Sequence, residues 1–95
     1  MKIVEVETIP LTIPFTHGGK PAGWGGKAWT SLSVLLVKVT TEDGLTGYGE
    51  AFSYNCLRAV QSVIEDMVVP IVIGQEVNDI DVFLRGMQQK LHLFG

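Results

Sequence analysis

Residues 39–51 read V-T-T-E-D-G-L-T-G-Y-G-E-A and place Asp43-Gly44 between two runs of β-forming residues. Asp-Gly is among the strongest short-range signals for a β-hairpin. The run before it, residues 31–40, is rich in β-branched side chains, and the run after it, residues 45–52, alternates apolar or aromatic residues with small ones. The sequence therefore predicts an antiparallel hairpin at the centre of the chain.

The two predicted strands of this hairpin carry further signals. Gly47 and Gly49 lie inside the second strand, where glycine predicts a bulge or the close approach of another backbone. The middle of the first strand, V-L-L-V, is apolar at four consecutive positions. That run predicts a central strand that is covered on both faces.

Residues 2–14 predict a third strand, which precedes the hairpin in the chain. Its apolar residues change from even to odd positions along the run, and this change predicts a bulge or bend near residues 8–10. Proline cannot donate to a ladder, so Pro10 and Pro14 place the strand at an edge of the sheet.

After residue 52 the hydrophobic period changes from 2 to 3.6, which indicates helices. Asn55 is predicted to cap the first helix, Pro70 to end it, and Asn78 to cap a second one after a short apolar connection over residues 70–74. The two predicted apolar stripes are Ala59, Val60, Val63, Ile64, Met67 and Val68, then Ile80, Phe83, Leu84, Met87 and Leu91. The predicted fold class is α+β: a three-stranded antiparallel meander followed by a small helical bundle.

A glycine-rich segment joins the first two strands and holds most of the candidate binding residues. Five of the residues at 15–28 are glycine, and the segment also carries His17, Lys20 and Trp24. A loop of this length in a small domain is usually functional or else disordered, and an aromatic ring on a glycine-rich hinge suits a flap over a ligand. Tyr54, just past the third strand, is the other candidate, with packing at the rim of the core as its alternative role.

Composition limits the partners of the chain. Hydrophobic residues make up 46% of the 95 residues and charged residues 18%, against a usual share of about 25% charged. Exposed apolar surface is therefore expected, which predicts docking on another copy or another domain. The net charge of −3 without a basic cluster argues against nucleic acid, and the short apolar runs argue against a membrane span. A single cysteine, Cys56, indicates a cytoplasmic protein.

The residues alone supply no catalytic constellation. Two histidines are present, but no nucleophile elbow accompanies them. Two acidic pairs, at residues 5 and 7 and at residues 79 and 81, each lack a third ligand for a metal ion. Glu50 is either a buried acid or a structural carboxylate at a strand end. The sequence therefore assigns neither a catalytic residue nor a metal ligand to this chain.

Taken together, the edge strand, the glycine-rich loop, the D-G-L-T-G-Y-G-E motif at residues 43–50 and the two helices resemble a known domain. They are similar to the N-terminal capping domain of the enolase superfamily, in the mandelate racemase and muconate lactonizing enzyme family. The resemblance extends over residues 1–95, with the C-terminal end of the domain expected to be incomplete. Its most specific part is the glycine-aromatic-glycine-glutamate pattern.

The resemblance implies a role in substrate selection. In such isomerases and lyases the domain caps a (β/α)₇β barrel, which holds Mg²⁺ and the bases that remove the proton alpha to a carboxylate. Racemisation, cycloisomerisation or dehydration follows. Two loops of the cap close over the substrate, and here these are residues 15–28 and 52–55. The implied substrate-binding residues are His17, Lys20, Trp24 and Tyr54, and the substrate is a small carboxylate or acid sugar.

The barrel with its metal ligands and bases has no counterpart in these 95 residues. The chain alone is therefore expected to be inactive and to hold no cofactor, and its implied partner is the barrel domain or another copy. Two other functions stay open: a free-standing module that binds a small carboxylate, and a structural domain that dimerises through its sheet.

Overall fold

A computed structural model describes residues 1–14 and 31–94. Three strands, β1 (Ile3–Pro14), β2 (Ser31–Thr41) and β3 (Thr46–Ala51), form one antiparallel sheet in the order β1-β2-β3. The predicted meander is confirmed, with β2 at its centre and the proline-containing strand at an edge.

The turn between β2 and β3 confirms the predicted hairpin. The Thr41 amide donates to the Leu45 carbonyl at 2.9 Å, and the Gly44 amide donates to the Thr41 carbonyl at 3.0 Å. Gly44 has φ +88°, the left-handed conformation that glycine adopts without steric cost. A three-residue loop that ends in a left-handed glycine is a common hairpin connection, because its twist matches that of the strands.

The predicted bulges are corrected by the strand register. Pairing between β2 and β3 is regular through Gly47 and Gly49. Both glycines have open space where a side chain would lie, with no neighbouring atom within 4 Å of the Cβ position. In β1 the register shift falls between Ile3 and Glu5, and the strand is regular at residues 8–10. The shift places Ile3 and Val6 on the same face of the sheet, which buries the beginning of the strand.

The helical layer is one continuous helical segment followed by a separate helix. Helix α1 (Leu57–Val63) runs through a π-helical turn (Ile64–Val68) into α2 (Val69–Val72), and α3 (Ile80–Lys90) leads to a 3₁₀ turn (His92–Phe94). The prediction that Pro70 ends the first helix was wrong. Proline has no N–H to donate, and Pro70 is tolerated because it lies in the first turn of α2, directly after the π-helical turn.

Both predicted helix caps are displaced by one residue. Asn55 has φ +55°, and Cys56 occupies the N-cap position of α1 without a side-chain hydrogen bond. The carboxylate of Asp79, not the side chain of Asn78, caps α3 by accepting from the amides of Asp81 at 3.0 Å and Val82 at 3.2 Å. At α3 two cap-favouring residues are adjacent, so composition alone did not separate them. At α1 the left-handed conformation of Asn55 places it before the cap position.

The helices cover one face of the sheet, which we call the helix face. Its core consists of Ile3, Val72 and Val77, against which further half-buried side chains pack: Val6, Val39, Val68, Ile71, Phe83 and Met87. Leu35 on β2 is fully buried. A polar contact crosses the same layer, since the Thr8 hydroxyl donates to the Glu65 carboxylate at 2.7 Å and accepts from the side-chain Nε2 of Gln61 at 3.0 Å.

The opposite face of the sheet, the open face, is apolar over β1 and β2. Directly opposed residues share a face, so the register places six apolar side chains together there: Ile9, Leu11, Ile13, Leu32, Val34 and Leu36. Three of them are exposed, and within residues 1–14 and 31–94 no element covers this face. The middle of β2, where cover on both faces is predicted, has Val34 and Leu36 half-buried on this face, and the prediction stays open there. The predicted exposed apolar surface is present.

Candidate functional site

The strand register directs both candidate segments towards the same end of the sheet, although β3 stops four residues short of it. Pro14, where β1 ends, lies opposite Ser31, where β2 begins. Ala51, where β3 ends, lies opposite Leu35 on β2. Because β3 runs antiparallel to β2, it leads towards the end of the sheet at which β2 begins. The segment after β3 therefore leaves the sheet opposite Leu35, in the direction of the end where residues 15–30 connect β1 to β2.

This segment, residues 52–56, is a tight turn anchored to α1. The Cys56 amide donates to the Ser53 carbonyl at 3.1 Å, and the Val60 amide donates to the Cys56 carbonyl at 3.1 Å. Asn55 adopts the left-handed conformation, which asparagine tolerates better than most residues. The turn is thus fixed at one side by β3 and at the other by the first turn of α1.

The side chains of residues 52–54 alternate between exposure and burial. Phe52 is almost fully exposed, and Tyr54 is 43% exposed at the tip of the turn. Ser53 between them is only 3% exposed. The turn therefore exposes two aromatic rings just after the end of β3. Each ring offers apolar area, and Tyr54 adds a hydroxyl group.

Ser53 was not predicted from the sequence. Its Oγ atom is buried and has no hydrogen-bond partner among the described residues. An unpaired buried hydroxyl typically costs about 1–3 kcal/mol, so such a group is uncommon in a folded domain. A serine between two aromatic residues is unremarkable in sequence, and only its burial in the fold distinguishes it.

Of the predicted binding residues, the structure places Tyr54. His17, Lys20 and Trp24 lie outside the described residues, together with the rest of the loop at 15–28, and they remain predictions. Glu50 is exposed on β3, so its interpretation as a buried acid is wrong and a strand-end carboxylate is what the structure shows.

The other end of the sheet is charged. The Met1 amino group pairs with Glu76 at 2.5 Å, and this hydrogen bond raises the pKa of the amino group. The Thr41 hydroxyl donates to Asp43 at 2.6 Å and lowers the pKa of that carboxyl group. A shallow cavity of about 340 Å³ lies among these groups. The cavity lies at the end of the sheet away from the Tyr54 turn, so it is not part of the candidate site.

Two classes of site find no support in the described part of the chain. Residues 1–14 and 31–94 contain no group of three or more histidine, cysteine, aspartate or glutamate side chains placed to hold a metal ion. The helices of the same residues are too short or too polar to cross a membrane.

Comparison with known proteins identifies the domain. The sequence profile described as "Mandelate racemase / muconate lactonizing enzyme, N-terminal domain" matches residues 17–93. The chain belongs to this family. Muconate cycloisomerase 1 of Rhodococcus opacus is 32% identical over 87 residues, which make up 84% of this chain and 22% of that protein.

Solved structures show the same fold for this capping domain. A member of the enolase superfamily from Polaromonas sp. JS666 matches 97% of the chain with a TM-score of 0.71 and 27% identity. A racemase from Streptomyces coelicolor A3(2), solved with bound magnesium, matches 98% of the chain with a TM-score of 0.73 and 20% identity. This chain covers 22% and 26% of those two chains. It thus spans about a quarter of the length of its relatives.

Proposed function

We propose that this chain is the substrate-capping and specificity domain of a Mg²⁺-dependent enolase-superfamily enzyme that removes the proton alpha to a carboxylate. The observation that carries the proposal is the direction of β3, which points the turn at residues 52–56 towards the end of the sheet where residues 15–30 connect β1 to β2. Two chain segments that face the same end of a sheet can close over a substrate together.

Tyr54 is the described residue proposed to contact the distal part of the substrate. Its ring is partly exposed on a turn fixed by two backbone hydrogen bonds, so it can contact a ligand without a large ordering cost. His17, Lys20 and Trp24 are proposed to act from the other loop, where a lysine suits a carboxylate and a ring suits apolar or sugar faces.

The catalytic groups are proposed to lie in the barrel of the parent enzyme. The described residues offer no ligand set for Mg²⁺, so the ion is assigned to the barrel. When bound there, Mg²⁺ stabilises the negative charge that develops as the proton leaves. The capping domain excludes water and selects the substrate, while racemisation, cycloisomerisation or dehydration depends on barrel bases. We place the enzyme in the cytoplasm, consistent with the single cysteine.

A test of this function uses the polypeptide that contains this sequence, isolated from its native source or expressed from its complete gene. Exchange of the α-proton for deuterium in D₂O is followed by NMR over a panel of acid sugars, muconates and dipeptides, with Mg²⁺ or with EDTA. We expect exchange that requires Mg²⁺ for one substrate class and no exchange by the 95-residue chain alone.

The contribution of Tyr54 is tested by Tyr54→Ala, with Tyr48→Ala as the matched control. Tyr48 is 65% exposed on β3 and lies outside the turn. Loss of a ring contact is expected to lower kcat/KM about tenfold or more in the first variant and to leave it within about twofold in the control. Equal effects of the two substitutions, or exchange that persists in EDTA, would contradict the proposal.

A further inference from the structure

The two edge strands of the sheet differ in how they are protected from further pairing. Edges are normally protected by proline, charge or bulges, which prevent another strand from adding. On β1 these features are Pro10, Pro14, two glutamates and the register shift after Ile3. On β3 the register is regular, proline is absent and Glu50 is the single charged residue. In the described part of the chain nothing pairs with the outer edge of β3.

The hydrogen bonds of the turn determine which groups of β3 face that edge. Thr41 and Leu45 are a hydrogen-bonded pair, because the Thr41 amide donates to the Leu45 carbonyl. Hydrogen-bonded and non-hydrogen-bonded pairs alternate along an antiparallel ladder. Gly47 and Gly49 therefore direct their N–H and C=O groups towards β2. Thr46, Tyr48 and Glu50 direct theirs outwards.

These outward groups match a second copy of the same strand. In antiparallel pairing centred on Tyr48, that residue lies opposite Tyr48 of the second copy, and Thr46 lies opposite Glu50. Three pairs then form, each exchanging two backbone hydrogen bonds. The two tyrosine rings lie side by side on one face, a favourable cross-strand pair. Each Glu50 meets a threonine hydroxyl rather than the other glutamate, so like charges are not opposed.

We propose that two copies of this chain associate through their β3 edges and form a continuous six-stranded antiparallel sheet. The pairing explains the two glycines of β3. Gly47 of one copy lies opposite Gly49 of the other as a non-hydrogen-bonded pair, where the Cα atoms approach to about 4.5 Å. The close backbone approach that the glycines predict, and that the described chain lacks, is then made by the second copy.

The geometry also fixes the strength and consequences of the dimer. One short strand pair buries less than the roughly 1,200 Å² of a stable interface, so association is weak and depends on concentration. Because the strands are antiparallel, the turns at residues 52–56 of the two copies lie at opposite ends of the joint sheet. Both candidate sites stay accessible, and the dimer is independent of the proposed capping function.

Sedimentation equilibrium of the 95-residue chain from micromolar to millimolar concentration tests the proposal. We expect the average mass to rise from 10.4 kDa towards twice that value. Tyr48→Lys places two like charges side by side at the two-fold axis and is expected to weaken the dimer at least about tenfold. Leu11→Lys places a matched charge on the open face of β1 and is expected to change the dissociation constant of the dimer less than about twofold.

Amide hydrogen exchange of the unmodified chain provides a test that needs no variant. On concentration, the amides of Thr46, Tyr48 and Glu50 are expected to exchange more slowly, while those of Gly47 and Gly49, already bonded to β2, do not change. A mass of 10.4 kDa at every concentration overturns the proposal. Loss of the dimer in Leu11→Lys with retention in Tyr48→Lys also overturns it, in favour of stacking of the open faces. Neither result bears on the Tyr54 turn.

Discussion

Replacement of Leu35 by alanine tests how the sheet supports the candidate site. Leu35 is 0% exposed and lies opposite Ala51, the last residue before the Tyr54 turn. The substitution removes three carbon atoms, which corresponds to about 2.4 kcal/mol of transfer free energy at about 0.8 kcal/mol each. A residual cavity brings the expected loss to about 3–5 kcal/mol. A domain of this size has a total stability of about 5–14 kcal/mol, so the loss is a large share of it.

The assay is urea unfolding followed by far-UV circular dichroism. Leu84→Ala is the control, because Leu84 is 51% exposed on α3 and alanine favours a helix. We expect the free energy of unfolding of the control to lie within about 1 kcal/mol of that of the parent chain. A loss of less than about 1 kcal/mol for Leu35→Ala, or equal losses in the two variants, would refute the assignment of Leu35 as the buried support of the sheet where β3 ends.

Three further predictions concern local structure. Asp79→Ala removes both cap hydrogen bonds of α3 and should lower the free energy of unfolding in urea by about 1 kcal/mol. Asn78→Ala should be nearly neutral. A larger loss in Asn78→Ala than in Asp79→Ala would show that Asn78 is the cap, as the sequence predicts. Gly44→Ala should cost about 1–2 kcal/mol in the same assay, because φ is +88° there, and an unchanged midpoint would contradict the turn geometry. The lowered pKa of Asp43 stabilises the fold above the unfolded value of about 3.9, and this contribution is lost as pH falls through the folded value. Thr41→Val should therefore make acid unfolding less dependent on pH, and an identical pH profile would contradict the Thr41 hydrogen bond.

Much of the fold followed from local sequence chemistry. The Asp43-Gly44 pair determined the hairpin because a left-handed glycine in the turn is a local requirement. The order of strands and helices followed from the change of hydrophobic period after residue 52. Pro70 was misread because the effect of a proline on a helix depends on the hydrogen-bond register before it, which a π-helical turn changed.

The candidate site was less predictable than the fold. Tyr54 was identified by its position after a strand, and the resemblance to the capping domain implied its role in substrate binding. Ser53 and the unprotected edge of β3 were not identified, because burial and the hydrogen-bond register of a strand depend on contacts that the sequence does not show. Gly47 and Gly49 were recognised as unusual, but the groups of β3 that face outwards could not be inferred without the hydrogen bonds of the turn at Thr41 and Leu45.

The central claim, that this chain caps the barrel of a larger enzyme, is tested most directly by the intact mass of the native polypeptide that contains it. Mass spectrometry of the protein from its natural source is predicted to give about 40 kDa, the sum of this domain and a barrel of about 250 residues. A native mass of 10.4 kDa would contradict the claim. The domain would then act without a barrel.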